Sequence, residues 1–207
     1  LQGEQSLTLH RSHDPTDTLI NTTRETDVED KGAGRGALVR WQRQLTSAST
    51  GEAIATSESV LFCRGDGGFG GEIRTKAKVL PRPSGVPMTC VTTPIDPRAG
   101  LIYRLSGDLN PVHVDPAVAA RAGFDRPILH GLCTFAMAAW AIVSAVGRAD
   151  PALLRSVAAR FRAPVFPGDT LRTDIWSCGT GVRFECVNLD RNVVVLEAGT
   201  AEMVVGS

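Results

Sequence analysis

The segment Gly131–Val146, GLCTFAMAAWAIVSAV, constrains this chain more than any other stretch. It carries no charged side chain, is apolar nearly all round and stops at Gly147. Its length and residue types predict a helix, and a helix without a polar face has to be covered by other elements. Small residues and a mid-chain position point to burial in protein rather than to a membrane span.

What surrounds it reads as sheet. Ser6–Leu9, Gly36–Leu45 and Glu52–Cys63 alternate apolar and polar residues, with Ala37, Val39, Trp41 and Leu45 sharing one side of the Gly36–Leu45 run, and Thr18–Val28 is a long polar-faced strand candidate rich in Thr. Four more runs follow the helix, at Val157–Arg162, Thr170–Ser177, Val182–Val187 and Val193–Val204. Period-two patterns of this kind predict antiparallel strands. Asp115-Pro116 supplies an N-cap and first-turn pair for a shorter helix closed by Gly123. One buried helix enfolded by an antiparallel sheet is the hotdog arrangement, an α+β fold.

The halves repeat. Leu9–Leu19 (LHRSHDPTDTL) aligns without gaps on Phe161–Leu171 (FRAPVFPGDTL), sharing Pro, Asp, Thr and Leu. A tandem, or double, hotdog is therefore expected: a degenerate unit over 1–70, a Gly/Pro-rich linker over 71–98 and a second unit over 99–207. The central helix of the first unit is missing from this sequence and is expected to precede Leu1, since a curled sheet with nothing to wrap leaves its apolar face bare.

Composition removes several function classes. Lys+Arg and Asp+Glu each number 22, and without a basic block no nucleic-acid partner is expected. The five cysteines show no CxxC spacing, which reads as reduced, buried thiols in a cytoplasmic protein. No signal peptide is visible, no membrane association is expected, and the C-terminal Val-Gly-Ser is no peroxisomal address. Arg64-Gly65-Asp66 reads as a turn. Gly65–Gly71 lacks the Gly-Lys-Ser/Thr of a phosphate loop. His10 and His13 lack further ligands, so no metal is expected. Phe135 and Trp140 read as core.

The chemistry concentrates in Leu101–Leu132. Asp108 and His113 are five residues apart, a spacing that a continuous helix would splay. Gly107 and Pro111 interrupt the helix, and Asn110 before Pro111 reads as a cap that swings His113 back beside Asp108. A carboxylate and an imidazole converging on one space can hold a water between them. Gly131, opening the long helix, offers a backbone N–H to an oxygen that gains charge. Base, acid and oxyanion donor are the parts needed to pass through a thioester enolate.

Tyr103-Arg104-Leu105-Ser106-Gly107-Asp108 followed by Asn110-Pro111-Val112-His113 resembles the signature of MaoC-like (R)-specific enoyl-CoA hydratases, most closely the double-hotdog type-2 members. Arg126–Thr134 (RPILHGLCT), Phe161–Asp169 (FRAPVFPGD), Gly3-Glu4-Gln5, Asp30-Lys31-Gly32 and Gly67–Gly71 extend the resemblance over nearly the whole chain. It implies syn hydration of a trans-2-enoyl-CoA to the (3R)-3-hydroxyacyl-CoA, and the reverse dehydration, with CoA as part of the substrate and no separate cofactor. Asp108 and His113 would activate the water, Asn110 would steady the turn and the Gly131 N–H would hold the thioester oxygen. Which of the pair is base and which acid is left open. Contacts to CoA or the acyl chain would come from Gly3, Lys31, Ser106, Leu109, Pro111, Val112 and Phe161. The first unit would supply CoA contacts and the second the catalytic groups. The family's Leu-His-Gly-Glu-Gln reads Leu-Gln-Gly-Glu-Gln here, with Gln2 in place of His. A homodimer is the family expectation.

Two other readings compete. A hotdog thioesterase would place its carboxylate on the central helix, and Leu132–Val146 has no Asp or Glu. A non-catalytic acyl-CoA-binding or partner subunit would have no need of both Asp108 and His113.

Overall fold

The computed structural model describes residues 1–71 and 79–204. Part of the expected linker (72–78) and the C-terminal Val-Gly-Ser lie outside the described residues. Among the described residues nine strands form one sheet: β1 (Gln2–Leu9), β2 (Leu19–Asp30), β3 (Ala37–Ser47), β4 (Ala53–Cys63), β5 (Thr89–Pro94), β6 (Leu154–Phe161), β7 (Thr170–Cys178), β8 (Gly181–Asn188) and β9 (Val193–Met203). The helices are α1 (Ala99–Tyr103), α2 (Pro116–Arg121) and α3 (Gly131–Val146). Strand order is β2-β3-β4-β1-β6-β9-β8-β7-β5, and every neighbouring pair is antiparallel. This is a hotdog fold, with α3 against the sheet.

Read inward from either side, β2-β3-β4-β1 and β7-β8-β9-β6 follow the same course. The repeat carries this symmetry down to the register. Leu9 aligns on Phe161 at the same offset that separates Ser6 from Ala158, and Ser6 is the residue that pairs with Ala158 where β1 meets β6. On either side, Glu4 pairs Arg160 and Thr8 pairs Ser156. A two-fold relation through the Ser6–Ala158 pair follows, and two similar segments meet edge to edge as one continuous sheet.

The core lies between α3 and the second half of the sheet. Ile142 is fully buried against a cluster that includes Leu171, Ile175, Phe184 and Leu196. Burial of side chains this size contributes about 1.5–3 kcal/mol each. Phe135 joins this core as expected. Trp140 does not: it is 56% exposed, and Ala136 and Ser144 beside it are exposed as well. The sequence of α3 is apolar all round, yet the i, i+4 stripe through Trp140 turns away from the sheet.

Two further expectations are corrected. The segment assigned wholly to a linker contains β5, which pairs with β7 at the sheet edge. Pro94 closes that strand opposite Thr170, and an edge position tolerates the missing N–H. The chain before β5 is strapped to β7 and β8: Trp176 Nε1 donates to the Gly85 carbonyl at 3.1 Å, and Arg82 pairs with Glu185 at 3.1 Å. All five cysteines are free thiols, but Cys90 and Cys178 are exposed while Cys133 and Cys186 are buried. Alternation in an edge strand and at a strand end puts those two side chains outward.

In the first half, Asp30 gathers the glycine-rich turns. Its carboxylate accepts the N–H groups of Gly32, Gly68 and Gly70, each at 2.8 Å. These bonds hold the acid below the usual carboxylate range, the Gly68 bond most of all.

Candidate active site

The site begins with how the chain leaves α1. A 3-10 turn at Arg104–Ser106 ends on Gly107 at φ 108°, a left-handed conformation that glycine adopts without steric cost. Asn110 then caps a second 3-10 turn, Pro111–His113: its Oδ1 accepts the Val112 N–H at 3.1 Å. The Asn110 N–H reaches back to Asp108 Oδ1 at 3.2 Å, and the His113 N–H donates to the Asn110 carbonyl at 3.2 Å. Three short bonds therefore fix Asp108, Asn110 and His113 relative to one another. The cap and break read from Asn110-Pro111 form as expected.

His113 is anchored from the far side of the turn. Its Nδ1 lies 2.8 Å from the Ile128 carbonyl. A carbonyl only accepts, so Nδ1 carries the proton and Nε2 presents a lone pair. Burial lowers the imidazole pKa below its ordinary 6.5; the bond to Ile128 opposes this and the neighbouring His130 adds to it. His113 is thus poised as a neutral proton acceptor at neutral pH.

His130 is buried at the hinge between turn and helix, only 1% exposed. Its ring stacks on His113, centroids 3.7 Å apart and planes at 26°. Tyr103 packs against it at 4.7 Å. His130 Nε2 donates to the Asp108 carbonyl at 3.2 Å, while its Nδ1 is buried without a hydrogen-bond partner among the described residues. One ring thereby braces both the backbone of Asp108 and the imidazole of His113.

Gly131 follows as the first residue of α3, whose opening N–H groups have no acceptor within the helix and sit at the positive end of its dipole. A Cβ at this position would meet Gln2 Cβ and Phe161 Cε1 at 3.2 Å each. Glycine lets these neighbours close in while leaving the amide reachable. Asp108, Asn110, His113, Gly131 and Phe161 all line one cavity of about 570 Å³, which Gln2 and Gly3 complete from β1. A smaller cavity of about 410 Å³ lies around Glu4, Glu58 and Arg160 and holds no imidazole.

Asp108, His113 and His130 place donor atoms within 4.8 Å of one another. A metal would need bonds of about 2.0–2.1 Å from imidazole lone pairs, which lie in the ring planes. Rings stacked as His113 and His130 are do not aim two such lone pairs at one ion. A separation of up to 4.8 Å between a carboxylate oxygen of Asp108 and a ring nitrogen of His113 can be bridged by one water with hydrogen bonds of about 2.8 Å.

Residues 79–198 match the family model described as MaoC like domain. The chain belongs to the MaoC-like family. The 3-hydroxyacyl-thioester dehydratase Y of Mycobacterium tuberculosis is 39% identical over 212 residues, covering 100% of this chain and 73% of that protein. The peroxisomal enoyl-CoA hydratase 2 of Arabidopsis thaliana is 34% identical, covering 95% of this chain and 66% of its own length. A MaoC-like dehydratase crystal structure from Phytophthora capsici superposes with a TM-score of 0.89 at 33% identity, over 100% of this chain and 72% of that one.

In this MaoC-like chain the four residues expected to act, Asp108, Asn110, His113 and Gly131, converge on the cavity, joined by Gly3, Val112 and Phe161. Ser106, Leu109 and Pro111 are exposed and are not among its lining. Lys31 turns to Glu29, 2.6 Å away, and also stays off the lining. Gln2 lines the cavity with its amide Nε2 tied to the Glu4 carbonyl at 2.9 Å and to Gln5 Oε1 at 3.0 Å. Sequence reasoning gave no role to His130, Tyr103 or Arg64. A histidine directly before the helix-opening glycine was the signal for the first. Arg64 had none, because the cavity that it lines is closed by residues distant in sequence.

Proposed function

We propose that this chain catalyses the (R)-specific hydration of trans-2-enoyl-CoA to (3R)-3-hydroxyacyl-CoA and the reverse dehydration. The observation that carries the reading is that a carboxylate oxygen of Asp108 and a ring nitrogen of His113 lie within 4.8 Å of one another on a cavity that the first residue of α3 also lines. The names of the two curated relatives support the reaction class.

The residues perform the reaction as follows. A water donates one hydrogen bond to Asp108 and one to His113 Nε2, leaving an oxygen lone pair for C3 of the enoyl thioester. As the C3–O bond forms, one acceptor takes a water proton, and the C2–C3 π electrons move toward the thioester oxygen. The Gly131 N–H and the α3 dipole stabilise that charge. The enolate collapses as the acceptor that took the water proton returns it to C2 from the same side, so the addition is syn and the pair is regenerated. Asn110 holds both acceptors in place: its N–H donates to Asp108 Oδ1 and its carbonyl accepts the His113 N–H. Phe161 borders the acyl thioester, and Gly3 admits it from β1.

α3 carries no carboxylate between Leu132 and Val146, which sets the site apart from a thioesterase with its acid on the central helix. A cytoplasmic homodimer completes the reading. It suits five cysteines without a disulfide. Among the described residues no helix is long and apolar enough to cross a membrane.

The test is to follow loss of the enoyl-thioester absorbance with crotonyl-CoA and a longer 2-enoyl-CoA, then resolve the product enantiomers. The reading expects the 3R product. An S product, or release of free CoA without hydration, would contradict it.

A further inference from the structure

The cavity that holds Asp108 and His113 is also lined by two arginines, Arg64 and Arg162. Arg162 is engaged, its Nε 3.2 Å from Glu197 Oε2. Arg64 has no carboxylate partner among the described residues. It stands directly after β4, whose Leu61 and Phe62 line the same cavity. Its Nη1 donates to the Ala122 carbonyl at the C-terminal end of α2, at 3.1 Å. Its guanidinium carbon lies 5.6 Å from the Phe124 ring centroid. A carbonyl and an aromatic face from the second half therefore orient a cation carried by the first half. Only one of its five N–H groups is used by the described residues.

We propose that Arg64 is the phosphate-binding residue of this site: it receives a phosphate ester of the carrier that brings the acyl thioester. The inference rests on the hydratase reading above for the identity of the thioester. A guanidinium is always charged and presents paired donors that match two oxygens of a phosphate. Holding it against Phe124 and Ala122 removes part of the ordering cost of binding. Lys31, the cation that the sequence suggested for this task, has its charge offset by Glu29 at 2.6 Å. Arg64 keeps its charge open on the same cavity as the proposed reaction centre. The long pantetheine arm separates thioester from phosphates, so an anion receptor belongs at the rim, where exposed Arg64 sits.

The test compares three thioesters: 2-enoyl-CoA, its 3′-dephospho form and 2-enoyl-pantetheine, which has no phosphate. Arg64→Gln removes the charge but keeps a donor for the Ala122 carbonyl. Arg64→Ala removes both. With enoyl-CoA, Arg64→Gln is expected to raise KM roughly 10–100-fold, the scale of a lost charge-assisted contact, while kcat moves less than twofold. With enoyl-pantetheine, wild type and Arg64→Gln should share one KM. Loss of the effect with the dephospho form assigns the contact to the 3′-phosphate; its persistence assigns the contact to the diphosphate. Equal KM increases for enoyl-CoA and enoyl-pantetheine would overturn the proposal and leave Arg64 as a clamp between β4 and α2. So would an unchanged KM for enoyl-CoA. If wild type hydrates none of the three, the hydratase reading fails separately. Calorimetric Kd values for CoA and pantetheine, with wild type and Arg64→Gln, still decide the role of Arg64.

Discussion

The imidazole of His130 lies stacked on that of His113, centroids 3.7 Å apart, while its Nε2 donates to the carbonyl of Asp108 at 3.2 Å. A buried ring thus holds in register two groups that meet across an irregular turn. His130→Ala should leave a hole beside Tyr103 and cost about 2–4 kcal/mol in urea unfolding, the range for emptying a well-packed site. His130→Phe, which preserves the stack and removes the donor, should recover most of that stability. Its kcat should still fall at least about tenfold, with a smaller change in KM, if the bond to the Asp108 carbonyl orients the acid. A Phe variant with wild-type kcat would reduce His130 to filler.

His113 predicts the acid side of the pH profile. Burial, the largest cause, lowers its pKa below 6.5 against the opposing bond to Ile128. In the proposed mechanism its working form is neutral, so kcat/KM should fall as pH drops through that lowered pKa, with a midpoint below 6.5. Stability shares the sign. Between the lowered value and the unfolded value, the unfolded chain binds more protons, so this group makes stability rise with pH across that window. An acid limb centred above 6.5 would contradict the neutral assignment.

Gly131→Ala tests the opening of α3. The new Cβ would press on Gln2 and Phe161 at 3.2 Å and cover the amide proposed to hold the thioester oxygen. A drop in kcat of about 10²-fold or more, the scale of losing one oxyanion donor, is expected with little change in melting temperature. Equal loss of activity and folded protein would mean that the residue serves packing alone.

Asp169 anchors Phe166, which packs with Val112 and Ile128 of the cavity lining. It is 3% exposed and accepts the Phe166 N–H at 2.9 Å and Asn188 Nδ2 at 2.6 Å, with Arg126 and Arg191 each 3.2 Å away. Both guanidinium groups lie over the Phe166 ring, at 4.8 and 4.9 Å. Asp169→Ala strands the buried Phe166 N–H and the Asn188 amide and should cost about 2–4 kcal/mol by chemical denaturation. A loss below 1 kcal/mol, roughly the worth of a surface pair, would show that the network is dispensable.

Much of this was legible from local signals. Alternation located eight strands, Gly131 and Gly147 bounded α3, and the Asn110-Pro111 cap located the reactive turn. Those features depend on neighbours in sequence. β5 was hidden by the prolines around it, because an edge strand needs only one hydrogen-bonded side. The exposure of Trp140 was hidden because an apolar helix surface looks the same whether or not a partner covers it. His130 against His113, Arg64 on the cavity and Asp169 between two arginines join residues far apart in sequence. Only the folded chain brings them together.

The central claim is that Asp108 and His113 share one water. Its most direct measurement is steady-state hydration of 2-enoyl-CoA by wild type, Asp108→Asn and His113→Ala, each checked for folding by circular dichroism and melting temperature. Both variants should remain folded and lose about 10²–10⁴-fold in kcat, the usual worth of positioned proton transfer. The double variant should be little worse than either single one, because the two residues act as a unit. Wild-type turnover in either folded single variant would contradict the account.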